Sequence, residues 1–346
     1  MAIASTPARA AKSSLGGPSV LPVTIWASLG AALFLLQFYV MGSWALSDRF
    51  APTPTGPDLI PTGDLLRLRI MEGCSAVTFF ALLYFVLIRP WRRTGRPSFD
   101  GLLIVTWGLM VWQDPMVNYI STQYLLNAHL INFGSWTAGS TPGWVSPNGH
   151  LLPEPVVLYP AVYMLFGLVP VMLLCAAWRW YRRTRPQASL IGYVLITLAI
   201  GIALDLIAEV LMIRGGVFAY PNAIRALTLW AGETYQFPLY EGLFVCFVMT
   251  AGACLRYFVN DRGETLVERG LDRLQLGKSQ ALVRFLAIYG FIQLSMIVVY
   301  DIPMQWVSMH TDTFVEGYPS YMINGLCTSG VDGQQCPGRG VPMPRD

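Results

Sequence analysis

Apolar residues run through this chain in long blocks, with neither the alternation of strands nor the one-sided stripe of a surface helix. The blocks fall at about residues 22–46, 66–88, 101–126, 156–178, 189–213, 235–258 and 282–302. Each is close to the roughly 20 residues a helix needs to cross the hydrocarbon core, so the pattern predicts an all-α, polytopic integral membrane bundle of about seven transmembrane helices. The first block is too long for a signal-peptide core and lacks a convincing cleavage site, so it reads as a retained helix. Residues 1–20, small and polar, predict a disordered tail; residues 21–303 form the bundle and residues 304–346 a carboxyl-terminal tail.

Composition agrees. Of the 346 residues 54% are hydrophobic and 12% charged, with a mean hydropathy of +0.48, whereas a soluble domain carries about 25% charge. A net charge of +3 gives no polybasic excess and argues against nucleic-acid binding. The lysines, Lys12 and Lys278, lie outside the apolar blocks. That excludes a retinal protein of the usual kind, which needs a buried amine.

Most of the 23 basic residues sit at alternate block ends: Arg9 and Lys12, Arg89 to Arg96, Arg179 to Arg185, and Arg256 to Arg284. The positive-inside rule places these on the cytoplasmic side of the cell membrane, with the amino terminus inside and the carboxyl terminus outside. Acids and bases at helical spacing over residues 256–284 predict a solvated connecting helix. Cys74, Cys175, Cys246 and Cys254 fall in the blocks and read as small core residues. Cys327 and Cys336 lie in the outer tail, where a disulfide is permitted.

Ionisable side chains at bilayer depth are costly and are functional candidates by default. Glu72, Asp114, Asp205, Glu209, Glu241 and Asp301 come from five blocks. With the predicted orientation they lie in the outer half, within reach of one outward-facing cavity. Asp205 and Glu209, at i and i+4, share a helix face and would repel if both ionised. Arg69, at i−3 from Glu72, offers that acid a structural partner instead. In WQDPMVNY (residues 112–119), Pro115 interrupts the helix ladder beside Asp114 and frees carbonyls to line a cavity. Trp107, Trp112 and Tyr119 flank it, and Asn118 lies one turn on. AGETYQFPLYEG (residues 231–242) brings Glu233, suited to a helix start, together with Tyr235, Gln236, Tyr240 and Glu241. His129, His150 and His310 are scattered in outer segments and read as surface residues. No zinc-type or calcium-loop spacing, phosphate-binding glycine loop, haem-attachment motif or nucleophile elbow occurs. Chemistry here must use protons, hydroxyls and carboxylates. The outer loop 127–155, rich in Gly and Pro, is long enough to act as a lid.

WQDPMVNY, the following NAHLINFGSW, and VFAYPNAIRALTLWAGETYQFPLYEG (residues 217–242) resemble the actinobacterial AveC family of membrane spirocyclases, over about residues 22–321. The resemblance implies closure of a dihydroxyketone polyketide to a spiroketal, and in one member also a dehydration. Such a reaction needs a proton donor, a base and an electrostatic stabiliser, and no cofactor. It implies a hydrophobic, polyketide-like substrate reached from the lipid bilayer. The roles come from the acids themselves: Asp114 and Glu241 as the main acid/base pair, and Glu72, Asp205 and Glu209 as further acids or orienters. Trp112, Asn118, Tyr119, Glu233, Gln236 and Tyr240 are the candidate substrate contacts, and no metal ligands are assigned. Two other readings stay open on the residues alone: a membrane-bound terpene or meroterpenoid cyclase, and a proton-coupled transporter.

Overall fold

The computed structural model describes residues 21–146, 148–185 and 187–326, and it is mostly helical. Among the described residues six helices have the length and apolarity to cross a membrane: α1 (Pro22–Ala45), α2 (Thr62–Thr94), α4 (Tyr159–Thr184), α5 (Leu190–Arg214), α6 (Leu239–Tyr257) and α7 (Gly277–Ser308). Between α2 and α4 lies the shorter α3 (Phe99–Leu109). α2 and α7 each contain a wider π turn, at Leu83–Ile88 and Ile297–Asp301. Glycine permits the closest crossing: a Cβ on Gly30 of α1 would lie 1.9 Å from the Leu286 carbonyl oxygen of α7, and Gly290 sits opposite.

The third apolar block departs from the expected seven membrane-length helices. It is α-helical only as far as Leu109, then winds as a tighter 3₁₀ helix over Met110–Asn118. The cause is a set of side chains that take the carbonyls an α-helix would use. Met110 N–H turns to the Trp107 carbonyl, which releases the Thr106 carbonyl to Gln293 Nε2 at 3.0 Å. Gln37 Nε2 donates to the Leu109 carbonyl at 3.0 Å. Pro115 has no N–H, and the Trp112 carbonyl, three residues before it, instead accepts Trp136 Nε1–H at 2.7 Å. Gln305 Nε2 reaches the Met116 carbonyl at 2.8 Å. Each freed carbonyl is satisfied, as a buried backbone requires.

The connection at residues 256–284 is not the solvated helix that its charge spacing predicts. Gly263, Gly270 and Gly277 adopt positive φ, and the segment folds as turns and short 3₁₀ pieces with Val267 and Leu271 buried. Its charges pair at long range: Arg256 holds Asp100 at 2.8 and 3.0 Å, Arg262 meets Asp272 at 2.7 Å, and Arg284 meets Glu268.

The opposite end is capped by ordered loops. Three two-stranded pieces pair there: β1 (Leu125–Leu126) with β2 (Phe218–Ala219), β3 (Asn222–Ala223) with β6 (Thr313–Phe314), and β4 (Thr228–Leu229) with β5 (Phe237–Pro238). Chain following α7 lies over this end as far as Leu326. Tyr318 donates to the Thr234 carbonyl at 3.1 Å and Asn324 Nδ2 to the Leu126 carbonyl at 2.9 Å, and Met322 and Leu326 are buried. The amino-terminal tail, Cys327 and Cys336 lie outside the described residues.

Candidate active site

A cavity opens among α3 to α7. It takes its walls from the starts of α4 and α6, the ends of α5 and α7 and the 3₁₀ segment, so it lies at the capped end, away from the arginine-bearing turns. Four carboxyls line it: Asp114, Asp205, Glu209 and Glu241. Asp205 and Glu209 are one turn apart on α5, and the helix period aims both at the cavity. Glu241 stands in the first turn of α6. Asp114 is presented by the 3₁₀ segment, whose carbonyls are tied as described above.

Three of these acids are matched to phenols. Tyr163 donates to Asp114 Oδ1 at 2.6 Å, Tyr220 to Glu209 Oε2 at 2.7 Å, and Tyr300 to Glu241 Oε1. Tyr124 and Tyr159 also line the cavity and hydrogen-bond each other through their hydroxyls. Asp205 is fully buried, and neither of its oxygens has a partner. The remaining wall is apolar, with Trp107, Phe166 and Phe218 and a set of valines and methionines. Among the described residues no lysine, arginine or histidine lines it. The cavity therefore offers proton donors and acceptors in apolar surroundings, where electrostatic interactions are strong.

The family model described as "Spirocyclase AveC-like" matches residues 91–323, two-thirds of the chain. The chain belongs to the AveC-like spirocyclase family. Every residue lining the cavity lies inside the matched stretch, whereas α1 and nearly all of α2 precede it. No curated protein and no solved structure matches the chain. A spirocyclase is an enzyme acting on a small molecule, and the six apolar helices of this AveC-like chain make it a multi-pass membrane protein.

Other candidate residues of this spirocyclase lie apart from the cavity. Glu72 is buried but engaged with Arg69, and it accepts the Ile131 N–H at 2.5 Å. Trp112 donates to Gln293 at 2.9 Å. Asn118 organises the turn after the 3₁₀ segment through the Gln123 N–H, the Tyr124 N–H and the Tyr124 carbonyl. Tyr119 bonds the Gly143 carbonyl at 2.5 Å. Gln236 bridges the Tyr220 carbonyl and the Gly232 N–H. Tyr240 is buried beside the cavity without lining it, and Glu233 is exposed in a turn.

The five phenols and one further acid escaped the sequence reading. Tyr159 and Tyr163 carried a signal, since their i, i+4 spacing puts both on one face of α4. Glu154 carried none, because an acid in a Pro- and Gly-rich loop reads as solvated. It is 1% exposed, and its carboxyl lies against that of Asp114. Burial strips water from it and the neighbouring acid opposes a second charge, so its pKa is pushed well above the ordinary carboxylate range.

Proposed function

We propose that this protein closes a dihydroxyketone to a spiroketal inside the cavity, using its carboxyls as acid and base. One substrate hydroxyl adds to the ketone to give a hemiketal. Asp114 or Glu241 then donates a proton to the hemiketal oxygen, water departs, and an oxocarbenium ion remains. The second hydroxyl attacks that cation, and an ionised carboxylate accepts its proton. One molecule of water is lost overall, and each step asks only for proton transfer and charge stabilisation. Asp205, with no partner of its own, is placed to receive a substrate hydroxyl, and Glu209 to stabilise the cation. The observation that supports this reading is the largely apolar cavity with four carboxyls and five phenols on its walls.

The substrate in this reading is an apolar polyketide that partitions from the bilayer. The 3₁₀ segment makes a seventh crossing. Eleven α residues at about 1.5 Å and nine 3₁₀ residues at about 2.0 Å reach about 34 Å, against a hydrocarbon core of about 30 Å. An odd number of crossings leaves the termini on opposite faces, and with the arginine-rich turns on the cytoplasmic side the amino terminus is inside and the cavity on the outer side of the cell membrane.

The test is mass spectrometry with chiral chromatography of a dihydroxyketone polyketide incubated with purified protein. Loss of one water to a single epimer, abolished in D114N and E241Q, is the expected result. Full turnover in both variants, or the epimer mixture of a protein-free control, refutes it. Loss of a second water would add a dehydratase step.

A further inference from the structure

Glu154 is a buried acid with no part in the proposed reaction. It sits between Pro153 and Pro155, just ahead of α4, and among the described residues no cation lies against it. Neither of its oxygens has a hydrogen bond of ordinary geometry, and neither does Asp114 Oδ2, although Asp114 Oδ1 takes the Tyr163 hydroxyl. The loop that carries it is fixed. The Glu154 N–H turns back to the Leu152 carbonyl at 3.1 Å, the Val156 N–H reaches the Ile131 carbonyl at 3.2 Å, and Ser75 of α2 holds the Leu158 carbonyl at 2.6 Å. Glu154 is thus held in place from both sides of the chain.

Two facing carboxyls whose described neighbours include phenols and acids but no cation are not both charged, and two neutral ones forgo the stronger charge-assisted bond. A single proton between them satisfies both. We propose that Glu154 and Asp114 share one proton, and that Glu154 is the positioning residue that keeps Asp114 able to give that proton to substrate. Asp114 lines the cavity and Glu154 does not, so Glu154 acts through Asp114. The proposal rests on the reading of Asp114 as a catalytic acid.

The groups facing this pair are Tyr163 and Tyr159 of α4 and Tyr124 of the loop, with Asp301, Glu241 and Glu209 farther off. Among the described residues no lysine, arginine or histidine joins them. The alkaline limb of the pH profile therefore belongs to the pair, delayed by the negative charge that the pair already carries. In E154Q that charge is gone and the amide donates to the Asp114 carboxylate, so the alkaline limb moves down by one pH unit or more. E154D restores it.

The experiment measures turnover against pH for wild type, E154Q, E154D and D114N, with circular dichroism to normalise for folded protein. A downward shift in E154Q with recovery in E154D supports the shared proton. An inactive D114N with an unmoved E154Q profile overturns it. A fully active D114N overturns the reading on which it rests, whatever E154Q does. Infrared titration of the carboxyl band gives a readout free of substrate and applies even if E154Q does not fold. D114N must move the pH at which the Glu154 carbonyl absorbance disappears, identified by its shift in E154D, and an unmoved band overturns the proposal.

Discussion

Gln293 is the residue on which the irregular third segment most depends, and Gln293→Leu tests that. Its Oε1 accepts Trp112 Nε1–H at 2.9 Å and also the Gln113 amide, while its Nε2 donates to the Thr106 carbonyl at 3.0 Å. Leucine keeps much of the volume and removes all three bonds at a fully buried site, leaving the Trp112 Nε1–H and the Thr106 carbonyl without these partners, while the Gln113 amide keeps only its 3.5 Å contact with the backbone carbonyl of residue 293. Side-chain hydrogen bonds between membrane helices average about 0.6 kcal/mol and reach about 1.7. The loss expected is therefore about 2 kcal/mol, with a ceiling of about 5. It is measured by reversible unfolding in mixed micelles of rising SDS fraction, followed by circular dichroism. Turnover per folded molecule falls too, because Asp114 directly follows Gln113. A stability loss below about 0.5 kcal/mol with unchanged turnover would refute the view that these side chains hold the segment in its 3₁₀ form.

Glu72→Gln lowers the thermal midpoint by weakening the bonds to Arg69 and the Ile131 N–H, at a cost of about 1–3 kcal/mol, while turnover per folded molecule is unchanged; a kinetic loss in the folded fraction would return Glu72 to the site. In Gly167→Ala the new Cβ meets Trp107 Cγ at 2.1 Å, and overpacking of this kind costs about 1–3 kcal/mol. Since Trp107 lines the cavity, KM rises with the loss of stability, and scanning fluorimetry beside steady-state kinetics checks both. Glu154 has a folded-state pKa raised above its unfolded value, so its contribution to stability is complete below the unfolded pKa and declines as pH rises toward the folded one. The midpoint of the wild type falls between pH 5 and pH 8, and that of E154Q falls less; parallel slopes would count against a buried, protonated Glu154.

The apolar blocks located six of the helices to within a few residues, because a span of hydrocarbon thickness is a requirement on composition that local detail does not override. Of the six acids placed at similar depth, Asp114, Asp205, Glu209 and Glu241 line one cavity, whereas Glu72 and Asp301 are not on its wall. Pro115 announced an interruption but not its form, since the 3₁₀ winding depends on Gln37, Gln293 and Gln305, which lie far away in sequence. The segment 256–284 misled because i, i+4 charges look alike whether they pair within a helix or across a fold. Three of its glycines at positive φ decided the outcome. The phenols were missed because a tyrosine in an apolar run resembles ordinary core, and Glu154 because burial of a loop acid is imposed by tertiary structure alone.

The largely apolar lining of the cavity bears on reversibility. Ketal closure under acid runs both ways, so the carboxyls that expel water are equally able to add it back and reopen the ring. A wet site would relax the product toward the equilibrium ratio of epimers however well it held the substrate. Walls of Trp107, Phe166 and Phe218 confine returning water to the carboxyls and phenols, where the substrate's own hydroxyls compete with it. In the proposed reaction the stereochemistry is then fixed by the rate at which the spiroketal leaves for the bilayer relative to the rate at which water comes back. Exchange of ¹⁸O from labelled water into recovered ketone is a direct gauge of that competition.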